Sequence, residues 1–528
     1  MAIFEDYSIW IYVLGGLGVL EVLAILFWLN PSYPGRRKIL LGVATLGVLA
    51  GPAYYYALEV DLTEAAQISV AGMSLASVIG FLAALVSRVS GTGDGSTGRN
   101  GRRLRGAQLM RWQALERILK RQKSQLKVGP LSFPLALETR GALLAGAPGS
   151  GKTVSINQML PQFRERYVRG IVFDENGAFL ERFYQPGDII LNPLDSRSVE
   201  WSPFAEICDI RSDPKLIAAS LVPEMDGPNS EWPQFAQQTL SQIIIRLAQD
   251  GKTTNADLVH ALAAMTIEEL GSLLHGTAAA RLFSSDAKGM SASVLGVMGS
   301  RGAVLEILSP TAGAGSFSLK KWIQGPEDGS WVFITCRDDQ AKILEYLIAA
   351  WFSIAASAIL SLIPNPDRRI VLALDEFASL PKIGGLGHLI TKGRKYGAVP
   401  ILGLQNLSQV RLKYGREEAQ TILSSIGTWF CFQAGDGETA EYISEFLGVE
   451  EVLRTMKTSG ENSQPGSLRT SSSEGTSEQI ATPRIVLPSE IKKLPDRTCF
   501  IDIRGEFPVA KIEIPKPPEI STAASRFV

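Results

Sequence analysis

Gly146-Ala147-Pro148-Gly149-Ser150-Gly151-Lys152-Thr153 reads GAPGSGKT, a complete G-x-x-x-x-G-K-[ST] phosphate loop. The apolar run Gly141–Ala145 precedes it and predicts a strand; Val154–Phe163 follows and predicts a helix. That strand–loop–helix setting separates a phosphate loop from an ordinary glycine-rich turn. Glycines let backbone N–H groups turn inward around a phosphate chain, and the N-terminus of the next helix adds a favourable dipole. A nucleotide is therefore expected against Gly146, Ala147, Pro148, Gly149, Ser150, Gly151, Lys152, Thr153 and Val154. Lys152 reaches the β and γ phosphates, and the Thr153 hydroxyl ligates Mg²⁺.

A phosphate loop needs an acidic partner. Ile370-Val371-Leu372-Ala373-Leu374-Asp375-Glu376 is an apolar strand tipped by two carboxylates. Asp375 is expected beside Thr153 in the Mg²⁺ shell, and Glu376 is the candidate to orient or deprotonate the attacking water. Ile171-Val172-Phe173-Asp174-Glu175 has the same shape. The later copy is preferred, because its apolar run is longer and a strand ending in Gln405 follows it. NTPases with a catalytic glutamate place such a polar-tipped strand between the loop strand and the acidic one, which aims Gln405 at the γ-phosphate. Between these two strands lies Thr391-Lys392-Gly393-Arg394-Lys395-Tyr396. Arg394 is the candidate to stabilise transition-state charge in a neighbouring subunit.

The rest of the 528 residues divides by composition. Residues 8–29, 39–58 and 65–87 are each long and apolar enough to cross a bilayer as helices. Arg36, Arg37 and Lys38 flank the first connection, Glu59, Asp61 and Glu64 fill the second, and arginines follow the third. The positive-inside rule then puts the N-terminus outside and everything after residue 88 in the cytoplasm. Residues 90–125 read as a basic linker and then an amphipathic helix over 107–124, suited either to the membrane surface or to packing on the globular part. Residues 126–204 and 314–528 alternate strands and helices, which predicts a mainly parallel sheet covered on both faces. Residues 205–313 have helical patterning only and read as an inserted all-α domain. Residues 457–479 are Ser/Thr/Gly-rich and read as a mobile loop, and 498–503 with 508–514 as a closing hairpin. With 52 basic and 53 acidic residues there is no bulk charge for nucleic acid, so any such binding needs a local basic patch. The four cysteines, 208, 336, 431 and 499, read as reduced buried thiols, and three scattered histidines make a zinc site improbable. No LSGGQ-like or H-E-x-x-H signature points to an ABC transporter or a metalloprotease.

The chain resembles the type IV coupling proteins of bacterial conjugation, the TrwB/TraD/TraG group of inner-membrane ATPases. The resemblance covers nearly all of Leu126 to Ile514. It rests on GAPGSGKT at 146–153, FDENG at 173–177, ILNPLD at 190–195 with WSPF at 201–204, WVFITCRDD at 331–339, LDEFASL at 374–380, TKGRKYG at 391–397 and GLQNLSQ at 403–409. It implies a RecA-like P-loop NTPase domain with an inserted all-α domain, assembled as a hexamer around a channel. It implies DNA-stimulated ATP hydrolysis that moves a relaxase-bound single strand into a type IV secretion channel at the bacterial inner membrane. It also implies matching roles for Lys152, Asp375, Arg394 and Gln405. Members usually carry two membrane helices; the second and third segments match that hairpin and the first is extra. Two other readings keep the same residues: a related ring ATPase that recruits protein effectors or moves chromosomal DNA, and a membrane scaffold that binds nucleotide without hydrolysing it.

Overall fold

A computed structural model describes residues 102–223, 231–283, 288–462, 471–505, 507–517 and 522–528. The three expected membrane segments, and the linker up to residue 101, lie outside the described residues. The strands run in chain order β1 (Arg102–Gly106), β2 (Leu109–Arg111), β3 (Ser124–Val128), β4 (Leu131–Pro134), β5 (Ala142–Ala145), β6 (Arg169–Glu175), β7 (Ile189–Leu191) and β8 (Trp331–Cys336). They continue as β9 (Ile370–Leu374), β10 (Ala398–Leu404), β11 (Thr428–Cys431), β12 (Glu450–Asn462), β13 (Ser471–Ala481), β14 (Thr498–Ile503) and β15 (Val509–Glu513). Ten of them form one sheet in the order β2-β15-β14-β11-β5-β10-β9-β6-β8-β7. From β11 to β7 every pair is parallel. β14 and β15 join antiparallel, as the closing hairpin predicted.

The central strands are apolar along their whole length because both faces of the sheet are covered. Side chains alternate between the faces. Leu143, Ile171, Phe173, Ile334, Leu372 and Leu402 enter one core. Leu144, Val172, Phe333, Val371 and Ile401 enter the other. The second core is closed by α1 (Trp112–Leu119) and α2 (Lys152–Glu165). The first is closed by α4 (Asp338–Leu360), which follows α3 (Ala178–Phe183), and by α5 (Leu386–Lys392) and α6 (Leu407–Ser425). Among the described residues α4 is the one helix long and apolar enough to cross a membrane, and it is a core helix, with Trp351 and Phe352 buried. Between β7 and β8 the described chain is helical, with α-helices at Asp213–Leu221, Glu231–Gln249, Asn255–Ala263, Ile267–Leu273, Lys288–Gly302 and Leu319–Gln324. Their apolar side chains share the first core with the sheet.

Four expectations need correction. The end of the presumed linker, Arg102–Gly106, is a strand paired antiparallel with β12, with Arg105 in an exposed ion pair with Glu451 at 2.6 Å. The amphipathic helix is shorter than 107–124, since Leu109–Arg111 pairs with β15 before α1 begins. Leu115 and Leu119 are fully buried in the domain, and the Glu116 carboxylate accepts from the Ser132 N–H and hydroxyl at 2.7 and 2.8 Å. Its apolar face is thus spent on protein, and periodicity alone does not distinguish a core from a lipid surface. Much of 457–479 lies in an antiparallel ladder, Val452–Asn462 against Ser471–Ala481. Ladder hydrogen bonds belong to the backbone, so a Ser/Thr-rich composition does not forbid them. Cys208 is exposed, while Cys336, Cys431 and Cys499 are buried and free.

β9 and β10 approach each other with no room for a side chain at Gly403: a Cβ there would lie 1.6 Å from the Asp375 carbonyl oxygen. The substitution Gly403→Ala must push the strands apart and should cost about 1–3 kcal/mol of stability, read as a lower urea midpoint of the full-length protein. Gly296→Ala, on an exposed helix position with open space around it, should instead gain roughly 0.5–1 kcal/mol. Equal midpoints for the two variants would contradict the packing described.

Candidate active site

The phosphate loop links the end of β5 to the start of α2. Gly149 and Gly151 have φ of 77° and 121°, conformations that a side chain resists. The loop is anchored by both strands beside β5: Gly146 N–H donates to Leu404 O at 2.9 Å, and Ala147 N–H to Gln433 O at 2.7 Å. Lys152 is almost wholly buried, and its Nζ donates to Gly146 O and Ala147 O at 2.7 and 3.1 Å. Burial lowers its pKa, opposed by the Glu376 and Asp375 charges.

Strand order completes the arrangement. β10 lies between β5 and β9, so the tip of β10 and the acidic tip of β9 both face the loop. Thr153 Oγ1 donates to Asp375 Oδ2 at 2.6 Å, although the two residues are far apart in sequence. Asp375 Oδ1 and both Glu376 carboxylate oxygens are buried without a hydrogen bond. Burial raises the Asp375 pKa, against the Thr153 hydrogen bond and the Lys152 charge. Burial also pushes Glu376 up to about 7, with the Lys152 charge holding it lower than it would otherwise be. A hydroxyl beside a carboxylate with one oxygen unsatisfied suits Mg²⁺, which takes few protein ligands and keeps its waters. No cluster of three or more His, Cys, Asp or Glu that could hold a metal occurs among the described residues.

The structure gathers Lys152, Thr153, Asp375, Glu376 and Gln405 at one corner. It does not bring Arg394 there. Arg394 is exposed, in the turn before β10, while Gln405 follows the other end of that strand. The seven residues of β10 separate them by about 20 Å.

The twin acidic tip has a different task. β6 lies one strand beyond β9. Asp174 is 1% exposed and its Oδ2 accepts from Leu180 N–H at 2.6 Å, at the start of α3. Burial raises it to about 7 in spite of hydrogen bonds from the α3 backbone. The next residue, Glu175, lines a surface cleft together with Glu376, and burial raises its pKa as well. Its role was hidden in the sequence because only the β9–β6 pairing puts it there. Arg497 was also missed. Its φ is 60°, its N–H donates to Ser150 O at 2.7 Å, and its Cα lies 3.0 Å from where a Gly151 Cβ would be. Nothing local in the sequence signals a contact across so many residues.

Comparison with known proteins gives concordant results. The family model for the type IV secretion-system coupling protein DNA-binding domain matches residues 125–515. Coupling protein TraD of Escherichia coli (strain K12) is 26% identical over 405 residues, 75% of this chain and 56% of TraD. The chain thus spans a little over half the length of that relative. Conjugal transfer protein TraG of Rhizobium radiobacter is 31% identical over 133 residues, 25% of this chain and 20% of that one. Among solved structures, plasmid coupling protein TrwB in complex with the non-hydrolysable analogue ADPNP is 31% identical, with a TM-score of 0.73, covering 83% of this chain and 99% of that chain. TrwB in complex with ADP and Mg²⁺ is similar to the same degree, at 31% identity and a TM-score of 0.73, covering 83% of this chain and 100% of that one.

The two acidic tips are separable by experiment. Carboxyls whose pKa is higher folded than unfolded make stability fall as pH rises from the unfolded value to the folded one. The nucleotide-free protein should therefore lose stability between roughly pH 4 and 7, the window set by Asp174 and Glu376, each pushed to about 7. Asp174→Asn should flatten that slope and leave Mg²⁺-dependent nucleotide affinity intact. Asp375→Asn should abolish the Mg²⁺ dependence. Melting curves across pH and nucleotide titrations with and without Mg²⁺ check both; a swap of the two phenotypes would reverse the assignment.

Proposed function

The chain belongs to the type IV secretion-system coupling proteins, and from that premise we propose that it is a membrane-anchored ATPase motor that passes single-stranded DNA, with its bound relaxase, to a type IV secretion channel. The observation that carries the chemistry is the 2.6 Å contact of Thr153 with Asp375 beside the buried Glu376. TrwB, similar over most of this chain, has been solved with ADPNP and with ADP and Mg²⁺, which supports ATP and Mg²⁺ as the ligands here.

ATP lies along Gly146 to Val154, with Lys152 against the β and γ phosphates. Thr153 and Asp375 would hold Mg²⁺, which would supply charge neutralisation for the phosphate oxygens. Gln405 and Glu376 orient a water in line with the γ-phosphorus. As the water oxygen bonds to phosphorus, Glu376 takes a proton from it. The bond to the β-phosphate oxygen breaks, and its electron pair leaves on ADP. Glu376 suits this task because a base works best with a pKa near the operating pH. Arg394, exposed and remote from its own loop, supplies its charge to the site of the next subunit in a hexameric ring. The segments at 8–29, 39–58 and 65–87 anchor the ring in the inner membrane with the catalytic part in the cytoplasm. The helical segment within 205–313 is the inserted all-α domain.

Four measurements on the full-length protein test this reading. ATPase activity should rise with single-stranded DNA and steeply with protein concentration. Lys152→Ala should abolish it together with DNA transfer, while membrane insertion persists. The wild-type rate should climb as pH rises through about 7, where Glu376 loses its proton; Glu376→Gln should remove that limb and cost about 10²–10⁴-fold in kcat. Mixing inactive Arg394→Ala with inactive Lys152→Ala subunits should restore partial activity, and no recovery at any ratio would refute action across an interface.

A further inference from the structure

The phosphate loop has a prop outside its own motif. Such a loop binds through backbone N–H groups that point inward, so its carbonyls need partners elsewhere. The Ser150 carbonyl accepts from Arg497 N–H at 2.7 Å. A peptide unit is planar and trans, so its C=O and its N–H point in opposite directions. Aiming the Ser150 carbonyl at Arg497 therefore sends the Gly151 N–H, on the same peptide unit, the other way. Arg497 backs the loop from outside: its Cα and the buried Phe432 ring lie 3.0 and 3.1 Å from where a Gly151 Cβ would be. The opposite direction is the interior of the loop.

Arg497 is held for this contact at a cost. It stands just before β14 with a φ of 60°, left-handed backbone that a residue with a side chain resists. Two hydrogen bonds keep it there. Its N–H is spent on Ser150, and its carbonyl accepts from Ile514 N–H at 2.7 Å, just past the end of β15. Ile514 is fully buried, and the next carbonyl, Pro515 O, accepts from Gln158 Nε2 of α2 at 2.6 Å. The closing hairpin thus grips both the loop and the helix that the loop feeds. Strained backbone persists only where its surroundings over-determine it, and it gathers at functional sites. The contacts of Arg497 with the loop run through its N–H, Cα and Cγ, none of them charged. Resting on the nucleotide-binding reading above, we propose that Arg497 is a positioning residue of the phosphate site: its left-handed backbone, not its charge, keeps the Gly151 N–H turned in for a phosphate oxygen of the nucleotide.

ADP with Mg²⁺ and inorganic pyrophosphate are the probes, titrated calorimetrically into the full-length protein. Arg497→Val keeps the N–H but puts a β-branched side chain where φ is positive, the least tolerated case. It should weaken ADP by about tenfold, the order of one hydrogen bond to a charged group. Pyrophosphate, which has no nucleoside, should lose the same factor. Arg497→Asn and Arg497→Gly accept left-handed backbone, and should bind both probes about tenfold tighter than Arg497→Val although all three lack the guanidinium. In turnover the loss in Arg497→Val should fall on the KM for ATP rather than on kcat; a residue that served stability alone would lower the melting temperature and leave KM in place. Weak binding by Arg497→Asn beside tight binding by Arg497→Lys would assign the effect to charge and overturn the proposal, a comparison that stands even where Arg497→Val does not fold. Wild-type affinity in a folded Arg497→Val would overturn it as well. A wild-type chain that binds neither probe would overturn the nucleotide reading instead, and one that binds ADP but hydrolyses no ATP would overturn only the motor.

Discussion

A lysine ammonium and two carboxylates share a corner of the sheet from which water is nearly excluded, and the fold is answerable to keeping them there. Burial drives Lys152 down and Asp375 and Glu376 up; the Thr153 hydrogen bond and then the Lys152 charge oppose it at Asp375, Lys152 opposes it at Glu376, and the two carboxylates oppose it at Lys152. A lone buried charge costs several kcal/mol, and removing one partner leaves the rest uncompensated. Such a cluster survives only on a rigid support. Parallel strands bonded on both sides provide it, with β10 wedged between β5 and β9 and so close to β9 that Gly403 has no room for a methyl group. Asp375 Oδ1 and both Glu376 oxygens are left without a hydrogen bond, which a core built for stability alone would have supplied.

That logic explains what could be read from the chain and what could not. GAPGSGKT, the acidic strand and Gln405 were legible because phosphate chemistry demands particular residue types at strand tips, and local sequence records them. The preference for Asp375 over Asp174 was read from the longer apolar run and the strand that follows, and the structure sets Asp375 beside Thr153. Asp174 kept its acid for another purpose, to accept the N–H groups at the start of α3. Glu175 and Arg497 were not legible. One enters the site through the β9–β6 pairing, the other through a backbone bond to the phosphate loop from more than 340 residues away. The failures over 102–124 and 457–479 share a cause. Composition reports what side chains can bury, whereas ladder bonds use the backbone, and an apolar helix stripe does not say whether lipid or protein will cover it.

Gln405 and Arg394 terminate the same strand, and this bears on how one site senses another. β10 exchanges ladder bonds with β5 on one side and β9 on the other, so it cannot slide without breaking both sets. Locked in register on both sides, β10 holds Gln405 at one end and the turn of Arg394 at the other at a fixed separation. The first half of α6 is attached differently: it follows Gln405 directly, breaks from the half beyond at Gly415, and is held by Leu407, Val410 and Tyr414 buried in the first core. Strand and half-helix thus leave Gln405 in two different settings: a ladder bonded on both sides before it, and a helix that breaks after two turns beyond it. The break falls at a glycine because a φ of 72° with a ψ of 169° is backbone that a side chain resists, so residue 415 sets where the core-buried first half ends.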